Sequence, residues 1–346
     1  MKTQKMSSAW YEKQGAAQEV IQYGEMPIPN PGFGEVRVRV HASGVNPSDT
    51  KIRSGWGGVP LLFPRIIPHQ DGAGVIESVG EGVLSSRIGE RVWVYEAQQG
   101  RPFGTAAEFV VVPSHQAVLL PEHTSFAEGA CIGVSAITAH HCVFADGSVN
   151  EQVILVTGGA GSVGYYALQL AKWGGATVIT TVSRPQQAQL AQSAGADYII
   201  NYKTEDVVQR IQEITQTKRG IDRIIDVDFS AHLPIIDAVL RTNGVVSAYA
   251  SPNPDAHPAL PFLSFMRNGV TIRLVFVYAM PNEAKQAAVR DITAALENGA
   301  LHHSIARYFH LNEVADAHDA QDSGQMIGKA IINVAACNTN REYDKG

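Results

Sequence analysis

Residues 153–172 read VILVTGGAGSVGYYALQLAK, an apolar strand that runs through a glycine-rich turn directly into an amphipathic helix. The turn has the spacing GxGxxG and comprises Gly159, Gly161, Ser162, Val163 and Gly164. Glycines at these positions make a tight turn and bring the backbone close to a pyrophosphate, while the helix N-terminus directs N–H groups at it. The stretch therefore predicts dinucleotide binding. The alternative is that the glycines only allow close packing of the helix on the strand.

The end of the next strand distinguishes NADPH from NADH. An NAD-binding site usually carries an acidic residue about twenty residues beyond the glycines, where it hydrogen-bonds the ribose 2′-hydroxyl. The sequence has no acidic residue between Glu151 and Asp197, and the strand TVITTV ends in Ser183-Arg184. A hydroxyl and a guanidinium at this place suit an adenosine 2′-phosphate. We therefore predict NADPH as the cofactor; the alternative for Arg184 is a solvated loop charge.

From about Thr124 onward, helix-length segments alternate with short apolar strands. This rhythm is typical of βαβ units around a parallel sheet that is buried on both faces. Six candidate strands match a complete Rossmann sheet, and they are residues 153–157, 177–181, 198–200, 221–227, 245–249 and 270–276. The sequence therefore predicts an α/β fold with a Rossmann doubly wound parallel sheet.

The first third of the chain has a different rhythm. Residues 35–45, EVRVRVHASGV, alternate apolar and polar side chains, as in a half-buried strand. Similar short runs, separated by Gly and Pro, recur at residues 74–79, 91–95 and 108–112. This part predicts a small β-rich, barrel-like domain. Further on, residues 282–298 predict an amphipathic helix, and residues 329–334 predict a last strand.

Composition limits the class of protein. The 346 residues are 45% hydrophobic and 17% charged with a formal net charge of −6, which excludes a disordered chain and favours neither nucleic acid nor an anionic membrane as partner. The sequence contains neither a long apolar run nor a secretory signal, so we predict a cytoplasmic protein. Cys131, Cys142 and Cys337 lack CxxC spacing and predict neither a disulfide framework nor a zinc site.

Eight motifs in the same order resemble the medium-chain dehydrogenase/reductase superfamily and, within it, the zinc-free quinone oxidoreductase branch. The β-rich part contributes GFGEV, GVNPSD, AGVIESVG and GTAAEF, at residues 32–36, 44–49, 73–80 and 104–109. The α/β part contributes GVSAITA, the glycine turn, AGAD and INYK, at residues 133–139, 158–164, 194–197 and 200–203. The resemblance covers nearly the whole chain.

The resemblance implies a particular domain organisation. Residues 1–125 would form a GroES-like β-rich catalytic domain, completed by residues 275–346, and residues 126–274 would form the Rossmann NADPH-binding domain between them. A cofactor cleft would lie at their junction. Homodimers that pair Rossmann sheets edge to edge are common in such families, so we expect a homodimer.

The resemblance also assigns positions around the cofactor. Asn46 matches the asparagine on the nicotinamide side, and Thr138 matches the threonine that faces the nicotinamide carboxamide. Tyr202 matches a tyrosine near the adenine and the 2′-phosphate, and Ser183-Arg184 resembles the pair used by NADP-dependent relatives. The loop that holds the carboxamide through its backbone and a cofactor-proximal position near the C-terminus correspond to Phe276, Val277, Tyr278 and Lys329.

Asn46 and Gln70 stand where zinc-dependent members of the superfamily have a Cys and a His. Neutral amides are poor zinc ligands, so we expect no metal. His69, the neighbour of Gln70, keeps an alcohol dehydrogenase with an unusual metal site open as an alternative.

Without a metal, the chemistry suits an acceptor that takes hydride readily, which is a quinone or a C=C bond conjugated to a carbonyl. The negative charge that develops on the acceptor's oxygen needs a cation or a hydrogen-bond donor, and Lys51 and Arg53 are the candidates. The quinone reductases usually have a tyrosine where Lys51 stands, whereas a lysine is similar to enone and alkenal reductases. The alternative for both residues is a salt bridge, for instance with Asp49. Another functional class that remains open is an NADPH-binding protein with a structural or regulatory role and little catalysis.

Overall fold

The computed structural model describes residues 4–334. In chain order, its strands are β1 (Lys5–Trp10), β2 (Gln22–Pro27), β3 (Glu35–Gly44), β4 (Asp71–Val79), β5 (Arg91–Val94), β6 (Phe109–Pro113), β7 (Ala117–Leu119), β8 (Val153–Val156), β9 (Thr177–Val182), β10 (Tyr198–Asn201), β11 (Ile221–Asp226), β12 (Leu240–Ala248), β13 (Thr271–Leu274), β14 (Ile305–His310) and β15 (Lys329–Asn333).

The α-helices are α1 (Ala17–Val20), α2 (Pro47–Ser54), α3 (Phe126–Phe144), α4 (Ser162–Trp173), α5 (Pro185–Ser193), α6 (Val207–Thr215), α7 (Phe229–Val239), α8 (Phe262–Arg267), α9 (Asn282–Glu297) and α10 (Val314–Asp322). The described residues divide into two compact units: those up to Val134 together with those from His303, and Ser135–His302. The boundaries expected from the sequence, 125/126 and 274/275, both lie before these division points.

The first unit is built on a seven-stranded sheet with the order β14-β15-β3-β4-β5-β7, and β6 pairs with β3 beside it. Strand β3 shows the alternation read from the sequence, because Val36, Val38 and Val40 are buried in the core. β15, from the end of the described chain, pairs antiparallel with the carboxyl end of β3. This pairing brings Lys329 towards the start of α2.

The second unit contains a six-stranded parallel sheet with the order β10-β9-β8-β11-β12-β13. This is the strand order of a complete Rossmann sheet: the chain adds β9 and β10 on one side of β8, and then β11, β12 and β13 on the other side. Its strands are rich in β-branched residues and buried, as a sheet covered on both faces requires. The predicted fold class is therefore confirmed: an α/β Rossmann unit accompanies a β-rich unit.

No helix within residues 4–334 is long and apolar enough to cross a membrane. Cys131 and Cys142 are buried free thiols, whereas Cys337 lies outside the described residues.

Candidate functional site

The glycine turn between β8 and α4 has the shape that a dinucleotide requires. Gly158 has a φ of 65°, a left-handed conformation that favours glycine. A Cβ on Gly159 would lie 2.1 Å from Thr180 Oγ1, and one on Gly164 would lie 2.4 Å from the carbonyl oxygen of Gly158. Gly161 caps α4, and a Cβ there would meet nothing closer than 3.3 Å. The first and third glycines are therefore needed for packing, whereas the second leaves room in front of the helix N-terminus.

Ser183 and Arg184 lie at the end of β9, where the sequence predicts the 2′-phosphate site. Gln187 Oε1 accepts hydrogen bonds from the Ser183 N–H at 2.9 Å, the Ser183 hydroxyl at 2.9 Å and the Arg184 N–H at 3.1 Å. Tyr202 follows β10, its ring is about half exposed, and its N–H donates to the carbonyl of Val182. The parallel pairing of β9 with β10 thus places Ser183, Arg184 and Tyr202 at the same sheet edge.

The remaining predicted cofactor residues of this unit lie on α3 and after β13. Thr138 is buried in α3. Val277 is buried, whereas the ring of Phe276 is exposed and packs edge-on against Tyr278 at a centroid distance of 5.1 Å. Lys285 Nζ donates a 3.4 Å hydrogen bond to the carbonyl of Tyr278 and supports this loop from α9.

In the other unit, Asn46, Asp71 and Lys329 form a buried charge cluster. Lys329 Nζ donates to Asn46 Oδ1 at 2.7 Å and to Asp71 Oδ2 at 2.9 Å, and Asn46 Nδ2 donates to Asp71 Oδ2 at 2.9 Å. The other carboxylate oxygen of Asp71 accepts the N–H of Val134 at 2.9 Å. All three side chains are almost fully buried, so the ammonium and the carboxylate compensate each other's loss of water.

Asp71 is the member of this cluster that sequence reasoning missed. It opens β4, ahead of small and apolar residues, and a carboxylate in such a strand needs a cation. That signal could have pointed to a buried partner. It could not have named Lys329, because 258 positions separate the two residues.

Asp49 lies one turn into α2, and its Oδ2 accepts the N–H of Asn46 at 2.7 Å. Burial raises the pKa of Asp49 to about 7, against the hydrogen bond from Asn46, which lowers it. The carboxyl thus fixes the start of α2 and so the backbone of Asn46.

Lys51 and Arg53, the two candidate cations, have different surroundings. Lys51 is half-buried, its Nζ lies 4.0 Å from the ring centroid of Trp56, and burial lowers its pKa. Arg53 is almost fully buried, donates to the carbonyl of Gly15 at 2.5 Å and forms an ion pair with Asp322 of α10. Arg53 therefore has the ion pair considered as an alternative, with Asp322 as the partner instead of Asp49.

The residues at the two zinc-ligand positions are engaged in other contacts. Gln70 exchanges two hydrogen bonds with Gln98, from Gln70 Nε2 to Gln98 Oε1 at 3.2 Å and from the Gln98 N–H to Gln70 Oε1 at 3.1 Å. Asn46 is held by Asp71 and Lys329. Within residues 4–334 there is no group of three His, Cys, Asp or Glu side chains that could hold a metal ion. This donor set does not fit zinc.

His69, the residue that kept a metal site open, belongs to a buried hydrogen-bond chain. Thr105 Oγ1 donates to the carbonyl of Asp71 at 2.6 Å, so Ser43 Oγ donates to Thr105 and accepts from His69 Nδ1 at 2.8 Å. His69 Nε2 then accepts from His318 Nε2 at 2.9 Å. Burial lowers the pKa of His69 to about 3 and that of His318 well below its ordinary value, so both rings are neutral at pH 7. Both His69 nitrogens are thereby occupied within the protein.

Comparison with known proteins agrees with this architecture. Residues 32–122 match the alcohol dehydrogenase GroES-like domain family, and residues 162–294 match the zinc-binding dehydrogenase family. Quinone oxidoreductase of Sus scrofa is 30% identical, over 94% of this chain and 97% of its own, and 2-haloacrylate reductase of a Burkholderia species is 29% identical, over 94% and 98%.

Among solved structures, Escherichia coli quinone oxidoreductase complexed with NADPH superposes with a TM-score of 0.82 at 25% identity, covering 95% of this chain and all of that one. The fold, the order of the motifs and these relatives confirm the resemblance read from the sequence. The chain is a member of the medium-chain dehydrogenase/reductase superfamily, in its quinone oxidoreductase branch.

Proposed function

We propose that this protein is an NADPH-dependent reductase that transfers hydride to a quinone or to a C=C bond conjugated to a carbonyl. One observation carries the proposal: the glycine turn leads to a sheet edge that offers Ser183 and Arg184 and no carboxylate between Glu151 and Asp197. The NADPH complex of the related Escherichia coli enzyme supports the same cofactor.

The residues present fit NADPH. The backbone around Gly161 and the N-terminus of α4 would hold the pyrophosphate, because no Cβ or capping side chain stands in front of them. Arg184 and Ser183 would hold the adenosine 2′-phosphate, with Tyr202 beside the adenine. We further propose that Asn46, Thr138, Lys329 and the backbone of residues 276–278 bind the nicotinamide end.

NADPH, when bound, supplies a hydride to the acceptor. The acceptor's oxygen then gains negative charge, and a nearby cation lowers the energy of that state. We assign this role to Lys51, because its side chain is half-buried and thus more accessible than that of Arg53, which is almost fully buried. The lowered pKa of Lys51 also makes its ammonium a better proton donor to the product.

Asn46, Asp71 and Lys329 act as a fixed polar group in this proposal. Lys329 and Asp71 determine which way the Asn46 amide points, so its orientation is set before any ligand binds. No step requires zinc, because the amides of Asn46 and Gln70 are poor ligands and both are already hydrogen-bonded.

The relatives support both classes of acceptor, since one is a quinone oxidoreductase and another a 2-haloacrylate reductase. The deciding experiment follows the loss of nicotinamide absorbance with NADPH and, separately, with NADH, using a p-quinone and then a simple enone. Turnover that strongly favours NADPH supports the proposal, and the faster acceptor identifies the chemistry. Tight NADPH binding without turnover by any acceptor would instead support a binding protein.

We also propose that the protein is a homodimer that pairs its sheets through β13. This strand pairs with β12 and has no second partner among the described strands, and the side chains near it are apolar and exposed. They are Phe262, Leu263, Met266 and Leu274. Light scattering after gel filtration should give the mass of a dimer, and Leu274→Arg should shift it to that of a monomer.

A cytoplasmic location is part of the same proposal. It is supported by the buried free thiols of Cys131 and Cys142, which suit a reducing compartment. Fractionation of cells that express the tagged protein tests it.

A further inference from the structure

Asp226, at the carboxyl end of β11, is a fully buried carboxylate that no part of the proposed chemistry uses. Its Oδ2 accepts the hydroxyl of Thr157 at 3.0 Å and faces His232 Nδ1 at 2.7 Å, and its Oδ1 accepts the N–H of Asp228 at 2.8 Å. Strand β11 is the neighbour of β8, at the point where the strand order reverses. Ligands of doubly wound sheets bind outside the strand ends at this point.

His232 is the titratable partner of this carboxylate. Burial lowers the pKa of His232, but the hydrogen bond that its ring donates to Asp226 and the charges of Asp226 and Asp228 outweigh this effect, so the pKa lies above its ordinary value. Asp226 and Asp228, on β11 and at the start of α7, are the charged groups that act on this ring. The ring is about one-quarter exposed, so it can exchange its proton with solvent.

Thr157 connects this pair to the glycine turn. It is the residue immediately before Gly158, its Oγ1 donates to Asp226 and accepts the N–H of Val227 at 3.0 Å, and its own N–H donates to the carbonyl of Ile225. The entry to the turn is thus fixed to the end of β11 by three hydrogen bonds. A shift of the Asp226 carboxylate would move Thr157, and with it the backbone that faces the pyrophosphate.

We infer that protonated His232 is a positioning residue for NADPH, which holds Asp226 against Thr157 and so keeps the glycine turn in its binding shape. The inference rests on the proposed use of NADPH. It predicts that NADPH binds more tightly when His232 carries its proton, and that by linkage NADPH makes His232 harder to deprotonate.

The test compares NADPH affinity of the wild type and His232→Gln between pH 6.5 and 9, using nicotinamide fluorescence. We expect affinity in the wild type to weaken by about fivefold as pH rises. In His232→Gln it should stay near the weaker, high-pH value. The 2′-phosphate titrates alike in both proteins, so the difference between the two profiles belongs to His232. KM for NADPH should follow the affinity, while kcat at saturating NADPH stays unchanged.

A matched control is His140→Gln. His140 Nε2 lies 2.7 Å from Asp291 Oδ2 in the same unit, so this variant also breaks a His–Asp pair, but on α3 and α9 instead of at the strand ends. Its pH profile for NADPH should follow the wild type. In Asp226→Asn the carboxylate that needs the charge is gone, so adding His232→Gln should change affinity little further.

A wild-type measurement covers the case in which His232→Gln fails to fold. Histidine-selective 13C labelling follows the titration of His232 with and without NADPH, and its midpoint should rise when NADPH binds. An unchanged midpoint, or a variant that loses stability while keeping the wild-type affinity profile, would overturn the inference. Failure of the wild type to bind NADPH at any pH would refute the proposed function itself, so the two failures are distinguishable.

Discussion

The ammonium of Lys329 donates a 2.7 Å hydrogen bond to the side-chain oxygen of Asn46, a residue 283 positions earlier in the chain. Lys329 begins β15 and Asn46 precedes α2, so the pairing of β15 with β3 brings them together. Asp71 accepts from both and completes the cluster. The proposed nicotinamide side of the site therefore depends on the two ends of the first unit being joined.

Lys329→Met should destabilise the protein strongly. It leaves Asp71 as a buried carboxylate with only neutral donors, and breaking one side of a buried ion pair costs about 3 to 5 kcal/mol. Urea unfolding measures the loss. Lys329→Met/Asp71→Leu, which removes both charges, should recover part of it. If the single variant is as stable as the wild type, the pair does not compensate a buried charge.

Two similar variants of the glycine turn should have different defects: one should mainly lose stability, and the other should mainly lose NADPH affinity. Gly159→Ala should lower the free energy of unfolding by about 1 to 3 kcal/mol, because its Cβ would collide with Thr180 Oγ1. Gly161→Ala should cost less stability than Gly159→Ala, because the nearest atom to its Cβ is the Gly158 carbonyl oxygen at 3.3 Å, yet it should weaken NADPH binding. Thermal unfolding and NADPH titration separate the two effects. Normal NADPH binding by Gly161→Ala would contradict a pyrophosphate at this place.

Arg184→Ala should change cofactor preference instead of overall activity. A hydrogen bond to a charged group contributes about 1.5 to 3 kcal/mol, so kcat/KM with NADPH should fall by about 10-fold to 100-fold. The value with NADH should change little, because NADH has no 2′-phosphate. Arg241→Ala, which removes an exposed arginine of β12, serves as the control. An equal loss with both cofactors would indicate that Arg184 supports the fold.

The parts of the site that sequence predicts are those built by neighbours in the chain. The strand, glycine turn and helix of residues 153–173 are continuous in the chain. The lack of acidic residues between Glu151 and Asp197 can be seen in the amino-acid sequence itself. The six strands of the Rossmann sheet are also predictable from local sequence, because a strand buried on both faces is apolar throughout.

The contacts that the sequence does not predict are those between side chains that lie far apart along the chain. The sequence offers Asp49, four positions away on the same helix, as an ion-pair partner of Arg53, but the partner is Asp322, 269 positions away. His69 pairs with His318 across 249 positions, and nothing in the local pattern of either residue indicates the other. Tertiary pairing of β15 with β3 and packing of α10 against α2 create these contacts, and a single sequence does not encode them by spacing.

The buried pair of His69 and His318 predicts how stability depends on pH. The folded protein keeps His69 neutral down to about pH 3, whereas the unfolded chain binds a proton below its ordinary pKa of 6.5. Acid therefore favours unfolding, and this residue contributes a loss of about 1.4 kcal/mol per pH unit between these values. Asp49, whose folded pKa is about 7, acts in the opposite sense, so the comparison must be a difference between variants.

The measurement is urea unfolding of the wild type and His69→Asn from pH 6.5 to 4.5. Asparagine tolerates the left-handed backbone of residue 69, where φ is 81°, better than other replacements for histidine. The slope of stability against pH should be shallower in His69→Asn by about one proton. His257→Asn, at an exposed position, should keep the wild-type slope. Identical slopes in all three proteins would mean that His69 titrates normally in the folded state.

Lys51 provides the sharpest test of the proposed chemistry, because replacing it leaves the ion pair of Arg53 with Asp322 in place. In Lys51→Met, kcat with the preferred acceptor should fall by at least about tenfold, since the developing oxyanion loses its cation. Affinity for NADPH should remain unchanged. Lys51→Arg should restore charge stabilisation and recover much of the rate. It should not restore proton donation, because a guanidinium does not titrate.

Quinone and enone then give different outcomes with Lys51→Arg. Carbon protonation follows hydride transfer to an enone, so Lys51→Arg should rescue quinone reduction more fully than enone reduction. Equal kcat in the wild type and Lys51→Met with both acceptors would contradict a role of Lys51 in charge stabilisation.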